Sequence, residues 1–130
     1  MGHSRDSINR VVKRIIYAVS HDCYTIELNE NRQKNIDFLA NYGIKSDQLR
    51  SMLQELKVED YCSAVNNLKT GFEDEILYIF GPRYNLFPAG EETPEEIIVY
   101  LKINIIENSI DYVVVVSFHK AEQPMNYAFK

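Results

Sequence analysis

The sequence has few of the residues on which small disulfide-rich or metal-stabilised proteins depend. It contains no tryptophan and only two cysteines in 130 residues. Cys23 and Cys62 form no CxxC pair, and no cysteine and histidine cluster surrounds either of them. This spacing argues against a disulfide framework and a zinc site, and it is typical of reduced thiols in a cytoplasmic protein. We therefore predict a chain that uses no metal and no cofactor.

Long apolar runs are also absent from the sequence. The longest, Val113 to Val116, is far too short to cross a bilayer. Near the N-terminus, Arg10 and Lys13 interrupt the apolar positions, which excludes the apolar stretch of a secretion signal. These absences predict a cytoplasmic protein without a membrane partner. The length and the 45% hydrophobic content fit one domain over residues 1–130, with a core that needs no cross-links.

Basic residues are scarce in the second half of the chain. Residues 1–65 carry nine basic and nine acidic side chains, whereas residues 66–130 carry five basic and ten acidic ones. Seven of those ten acids lie within 73–75 and 91–96, and such runs predict either solvated loops or an acidic surface for a basic partner. The net charge of −5 argues against a nucleic-acid partner, although the charge at one site can differ from the net value.

The spacing of apolar residues predicts three helices in the first half of the chain. They cover residues 7–20, with Asp6 or Ser7 as the N-cap, 31–42, which end before Gly43, and 46–56, capped by Ser46. Between the first two helices, the alternation of apolar and polar residues from Tyr24 to Leu28 predicts a short strand.

After Val58 the apolar residues recur with the period of strands. Strands are predicted at residues 75–80, 97–107 and 111–119, with Gly81-Pro82 ending the first, a loop over 84–96, and a turn at Asn108-Ser109. The short turn requires the last two strands to pair antiparallel. The sequence therefore predicts an α+β fold, in which helices pack on one face of an antiparallel sheet.

Strand alternation also predicts the face on which each side chain lies. One side of the 97–107 strand is uniformly apolar, and Leu101 and Ile103 on that side are expected in the core. Straight alternation assigns Val114, Val116 and Phe118 of the last strand to the same core. The opposite, polar face collects Tyr100, Lys102, Ser117 and His119, with Tyr78 joining from the first strand.

A tyrosine, a lysine and a histidine on one exposed sheet face have a definite chemical use. Metal-free RNA cleavage needs a base for the 2′-hydroxyl, an acid for the leaving 5′-oxygen and a cation for the phosphate. Tyr100 and His119 can exchange protons, and Lys102 can stabilise negative charge. A half-solvated face whose polar residues have no function fits the same pattern, so the residues alone leave both interpretations open.

The C-terminal segment SFHKAEQPMNYAFK, residues 117–130, resembles the ending of the MqsR family of bacterial toxins. Further blocks resemble that family in the same order: FLANYGI at 38–44, LKVEDYCSA at 56–64, ILYIFG at 76–81 and VYLKI at 99–103. The similarity covers about residues 36–130. It implies a RelE-like ribonuclease fold, mRNA cleavage without the ribosome, and neutralisation by a cognate antitoxin, which often carries a CxxC zinc module.

The resemblance also assigns positions to the family's active-site residues. The family's tyrosine falls on Tyr100, and the lysine that follows its SF pair falls on His119. A second lysine falls on Ser63 within EDYCSA, and a glutamine falls near Tyr78. Of these four positions, only Tyr100 has the same residue type as the family. Ser63 cannot supply a positive charge, so Lys102 would have to supply it.

Taken together, the residues and the resemblance predict an mRNA-cleaving toxin that acts on RNA and binds an antitoxin. The expected catalytic residues are Tyr100, His119 and Lys102, and the expected RNA-binding residues are Arg83, Tyr78 and Lys120. The alternative is a non-catalytic protein-interaction domain of the same fold.

Overall fold

The computed structural model describes residues 3–107 and 109–130, which form three helices and six strands. The helices are α1 (Arg5–Ser20), α2 (Gln33–Asn41) and α3 (Ser46–Gln54), with 3-10 turns at Glu30–Arg32 and Val58–Asp60. The strands are β1 (Tyr24–Ile26), β2 (Tyr61–Asn66), β3 (Ile76–Phe80), β4 (Arg83–Leu86), β5 (Glu95–Ile106) and β6 (Tyr112–Lys120). No helix in this described part of the chain is both long and apolar enough to span a membrane.

The three predicted helices are confirmed, with differences at their ends. Ser4 caps α1 instead of Asp6 or Ser7, because its side-chain oxygen accepts a hydrogen bond from the Ser7 backbone N–H. Ser46 is the first residue of α3 and not its cap. Helix α2 ends two residues before Gly43, whose φ of +55° is the left-handed conformation that glycine adopts at low cost after a helix.

The α+β class is confirmed, although the sheet is mixed and not wholly antiparallel. Its strand order is β1-β6-β5-β3-β2, and β4 pairs with β5 as well. Strands β5 and β6 pair antiparallel as predicted, but Asn108 of their predicted turn lies outside the described residues. Strand β1 pairs parallel to β6, which is possible because most of the chain separates the two strands.

Strands β2 and β4 were not predicted from the sequence. Strand β4 begins after Gly81-Pro82 and pairs antiparallel with the first part of β5. Its Tyr84 and Leu86 are buried. The predicted loop over 84–96 is therefore wrong at both ends, since β5 already begins at Glu95. With only two buried positions, β4 is too short for its alternation to stand out in a segment rich in loop-forming residues.

The core lies between one face of the sheet and helices α1 and α3, and Phe38 of α2 packs into it against Phe118. The apolar side of β5 was predicted correctly, and Leu101 and Ile103 are fully buried. Helix α1 contributes apolar residues at helical spacing, namely Ile8, Val11, Val12, Ile15, Ala18 and Val19. Helix α3 contributes Leu49, Met52 and Leu53. Burial of these side chains is the main force that holds the helices on the sheet.

A β-bulge in β6 changes the face on which its side chains lie. Lys102 of β5 is paired with Ser117, but the next residue, Ile103, is paired with Val115. Val116 is therefore an extra residue without a partner on β5. A bulge of this kind reverses the alternation of the strand that carries it.

The reversal overturns part of the predicted core. Val113 and Val115 are fully buried, whereas Val114 and Val116 lie half-buried on the opposite face. The prediction that Val114 and Val116 belong to the core is wrong, because straight alternation does not allow for the extra residue. Phe118, which follows the bulge, is fully buried as predicted.

Candidate functional site

The open face of the sheet carries a groove of about 690 Å³ above β5 and β6. Its floor consists of the four residues predicted to share the polar face, Tyr100, Lys102, Ser117 and His119. Residues 30–35, at the start of α2, form one wall, and residues 122–125 of the C-terminal segment form another. The register of β5 and β6 thus brings the three expected catalytic side chains into one concave site.

Tyr100 and His119 are direct partners across β5 and β6. Their rings are stacked, with centroids 5.4 Å apart and planes 22° from parallel. The Nδ1 atom of His119 lies 3.0 Å from the carbonyl oxygen of Lys120, to which it donates its hydrogen. In that tautomer Nε2 keeps its lone pair and can accept a proton.

Lys102 lies beside this pair of rings. Its Nζ lies 5.7 Å from the centroid of the Tyr100 ring, on the same side of β5. Within the described residues Lys102 takes part in no ion pair. Its charge is therefore available to an anionic ligand such as a phosphate.

Basic side chains outnumber acidic ones by one in the groove lining, although the chain as a whole is acidic. The lining contains three basic side chains, Arg32, Lys34 and Lys102, and two acidic ones, Glu30 and Glu122. Lys34 donates a hydrogen bond to Glu122 on the opposite wall, and this bond lowers the pKa of the Glu122 carboxyl. The bridge between the two walls should therefore persist to a lower pH than usual for a glutamate.

The placement expected for Tyr78 is wrong. Tyr78 is paired with Ile103, whose side chain points into the core, so Tyr78 lies on the helix-covered face of the sheet. There, burial raises the pKa of its phenol. Ile79 is the residue of β3 that is paired with Lys102 and faces the open side.

The other two expected RNA-binding residues also lie outside the groove lining. Arg83 is paired with Ile98 beyond the end of the groove, and its Nη1 is 3.6 Å from Glu96. Lys120 is paired with Val99 on the core side of β5, so its exposed side chain points away from His119. Only its carbonyl oxygen takes part in the site.

Ser63 lies on the open face, in line with the groove floor. It is paired with Ile79, which in turn is paired with Lys102. Two strand spacings separate Ser63 from Lys102, or about 10 Å. Ser63 carries no charge, so Lys102 is the cation of this row.

Asn35 is a structural residue of the site that the sequence reasoning missed. It is only 1% exposed, and its Nδ2 donates to the carbonyl oxygens of Glu27 and Val116 at 2.9 and 3.1 Å. Its Oδ1 accepts from the backbone N–H of Phe118 at 2.8 Å. Asn35 thus holds the bulge just before His119.

The sequence did contain a signal for Asn35. It stands three residues before the apolar Phe38, which places both side chains on the same side of a helix and so predicts that Asn35 is buried.

Replacing Asn35 with alanine should lower the free energy of unfolding by roughly 2–3 kcal/mol, because buried backbone groups would lose their partners. Urea denaturation of the purified variants measures this loss. Asn41→Ala is the matched control, since Asn41 is an exposed asparagine of the same helix. Equal losses in the two variants would contradict the role assigned to Asn35.

The C-terminal segment is anchored to the sheet next to the groove. The Tyr127 hydroxyl donates to the carbonyl oxygen of Gly81, and Phe129 stacks on Tyr61 with ring centroids 5.6 Å apart. A Cβ atom at Gly81 would lie 3.0 Å from the Tyr127 hydroxyl and 3.1 Å from the Met125 side chain. The glycine therefore permits the close approach that places residues 122–125 at the groove.

Over the described part of the chain, no three His, Cys, Asp or Glu side chains are grouped so that they could hold a metal ion. The resemblance to the MqsR family stays a prediction that rests on the sequence blocks quoted above. In comparisons with known proteins, no family model, no curated protein and no solved structure matches the chain.

Proposed function

We propose that this chain is a metal-independent endoribonuclease that cleaves single-stranded RNA in the groove over Tyr100 and His119. One observation carries the proposal: the stacked Tyr100–His119 pair lies beside Lys102, a cation without an ion-pair partner among the described residues, on the floor of the groove. A base, an acid and a cation in one concave site are the groups that phosphodiester cleavage without a metal requires.

The groups can be assigned to a balanced reaction. The Nε2 atom of His119 takes the proton of the 2′-hydroxyl, and the 2′-oxygen then forms a bond to phosphorus. The bond from phosphorus to the 5′-oxygen breaks, and the Tyr100 hydroxyl gives its proton to that oxygen. Lys102 stabilises the charge that develops on the phosphate oxygens. The products are a 2′,3′-cyclic phosphate and a 5′-hydroxyl, and the imidazolium then returns a proton to the adjacent tyrosinate.

The test is incubation of the purified protein with single-stranded RNA in the presence of EDTA. We expect cleavage products that end in a 2′,3′-cyclic phosphate and a 5′-hydroxyl. A preparation of the double variant Y100F/H119A, purified in the same way, controls for contaminating nuclease. Absence of cleavage by the unmodified protein, or equal cleavage by the double variant, would refute the proposal.

The proposed cellular role is that of a toxin neutralised by a cognate antitoxin. This part of the proposal is supported by the resemblance of residues 36–130 to MqsR-family blocks and by the ribonuclease-like groove. Induced expression should arrest growth and degrade mRNA, and co-expression of a neighbouring gene product with a CxxC zinc module should restore growth. Growth arrest with intact mRNA would contradict an RNA-cleaving toxin.

A protein-interaction domain without catalysis is the second candidate. Apolar side chains that are more than one-third exposed favour it, among them Leu28, Ile106, Ile110 and Tyr112. The loop that carries Glu91 and Glu92 is also exposed and could face a basic partner. This candidate predicts a stable complex with a partner protein and no RNA cleavage in the assay above.

A further inference from the structure

A second groove, of about 680 Å³, continues the first along the open face of the sheet. Asn31, Arg32 and Lys102 line both grooves, so the two form one track. One row of paired residues, Leu77, Asn104 and Val114, lies on the floor of the second groove. Its far wall is the segment between β2 and β3, which includes Lys69 and Phe72.

The charge of the second groove fits a phosphodiester backbone. Its lining contains three basic residues, Arg32, Lys69 and Lys102, and two acidic ones, Glu27 and Glu75. Arg32 and Glu27 form an ion pair at 3.2 Å, so their charges offset each other. Glu75 accepts hydrogen bonds from the neutral amides of Asn67 and Asn104 and keeps its charge. Lys69 and Lys102 against Glu75 leave the lining with one net positive charge, which favours an anionic strand.

Phe72 offers a flat surface at the wall of this groove. Its side chain is 43% exposed, although it is a large apolar residue. The Nζ of Lys69 lies 5.2 Å from the centre of its ring. An exposed aromatic ring beside a lysine is the arrangement on which proteins stack a base of a single-stranded nucleic acid while they hold its backbone.

Asn104 is placed to contact the edge of a base. It lies two residues beyond Lys102 on the same face of β5, a distance of roughly 7 Å along a strand. Its Nδ2 donates to Glu75 at 3.2 Å, which orients the amide, and its Oδ1 is an acceptor that an N–H group of a base can use. Proteins that read single-stranded RNA use such side-chain groups to recognise base edges.

We propose that the second groove is a base-recognition subsite of the same ribonuclease. Phe72 stacks on a base of the RNA strand, and Asn104 accepts a hydrogen bond from the base beside the phosphate that Lys102 holds. This inference rests on the proposed function, because the first groove supplies the position of the scissile phosphate.

The test compares two substrates that occupy different lengths of the track. A dinucleotide carries only the two bases beside the scissile phosphate, whereas a single-stranded hexanucleotide also reaches Phe72 on the far wall of the second groove. For Phe72→Ala, the kcat/KM for the hexanucleotide should fall by roughly tenfold or more, since a base loses its stacking partner. The kcat/KM for the dinucleotide should not change. Asn104→Ala should also weaken the preference for one base next to the cleavage position.

Matched controls are available on the part of the chain that lines neither groove. Phe87→Ala removes a phenylalanine that is 53% exposed, and Asn85→Ala removes an exposed asparagine of a strand. Both controls should cleave the two substrates at the unmodified rate. If Phe72→Ala cleaves the hexanucleotide as fast as the unmodified protein, or loses activity on both substrates equally, the subsite is refuted while the proposed function stands.

Absence of cleavage would refute the proposed function, and a binding measurement would then decide whether the subsite exists. If the unmodified protein cleaves neither substrate, fluorescence anisotropy with a labelled hexanucleotide measures binding alone. Binding that is roughly tenfold weaker for Phe72→Ala, and unchanged for Phe87→Ala, would still support base recognition in the second groove. Absent binding, or binding that does not depend on Phe72, would overturn it.

Discussion

Replacement of His119 with alanine should slow RNA cleavage by about a hundredfold to ten-thousandfold, which is the usual contribution of a correctly placed general acid or base. The side chain is held for this role, because its Nδ1–H is donated to the Lys120 carbonyl and its ring is stacked on Tyr100. Alanine leaves the 2′-hydroxyl without a proton acceptor. Single-turnover cleavage of end-labelled single-stranded RNA in EDTA measures the rate of the chemical step.

Two further variants separate chemistry from folding. Tyr100→Phe keeps the stacked ring and removes only the hydroxyl, so it should slow cleavage and leave the melting temperature unchanged. His21→Ala is the matched control, because His21 is also stacked on a tyrosine, Tyr17, with centroids 4.1 Å apart, but lies at the end of α1. Cleavage at the unmodified rate by both His119→Ala and Tyr100→Phe would remove these residues from the mechanism.

The floor of the groove could be predicted because it depends mainly on one regular strand. Strand β5 keeps a strict alternation, in which Ile97, Val99, Leu101 and Ile103 are buried and the residues between them face the open side. Tyr100 and Lys102 therefore share a face for a reason visible in the sequence. Tyr78 shows the limit of that reasoning, because its face depends on the register between β3 and β5, which the pattern of one strand does not contain.

The walls of the groove could not be predicted, since they depend on contacts between distant parts of the chain. Asn35 meets the backbone of β6 more than 80 residues away in sequence. Residues 122–125 reach the groove because Tyr127 is bonded to Gly81. The ion pair of Lys34 with Glu122, which joins the two walls, likewise links residues 88 positions apart in sequence.

The bulge in β6 is the feature that decides which valines and aromatics lie in the core, and it can be tested by the stability of two variants. Phe118 is fully buried and lies edge-on to Phe38, with ring centroids 5.5 Å apart, so Phe118→Ala should lower the free energy of unfolding by about 3–5 kcal/mol. Val116 is only half-buried on the open face, so Val116→Ala should cost no more than about 1 kcal/mol. Urea denaturation gives both values, provided that the two variants unfold with the same dependence on urea concentration.

Without the bulge, straight alternation would place the side chains of Val116 and Phe118 in the same core, and a large loss of stability in both variants would show that the strand is regular. A large loss of stability in Phe118→Ala alone supports a bulge at Val116. It also supports the change of face by which the bulge places His119 in the groove.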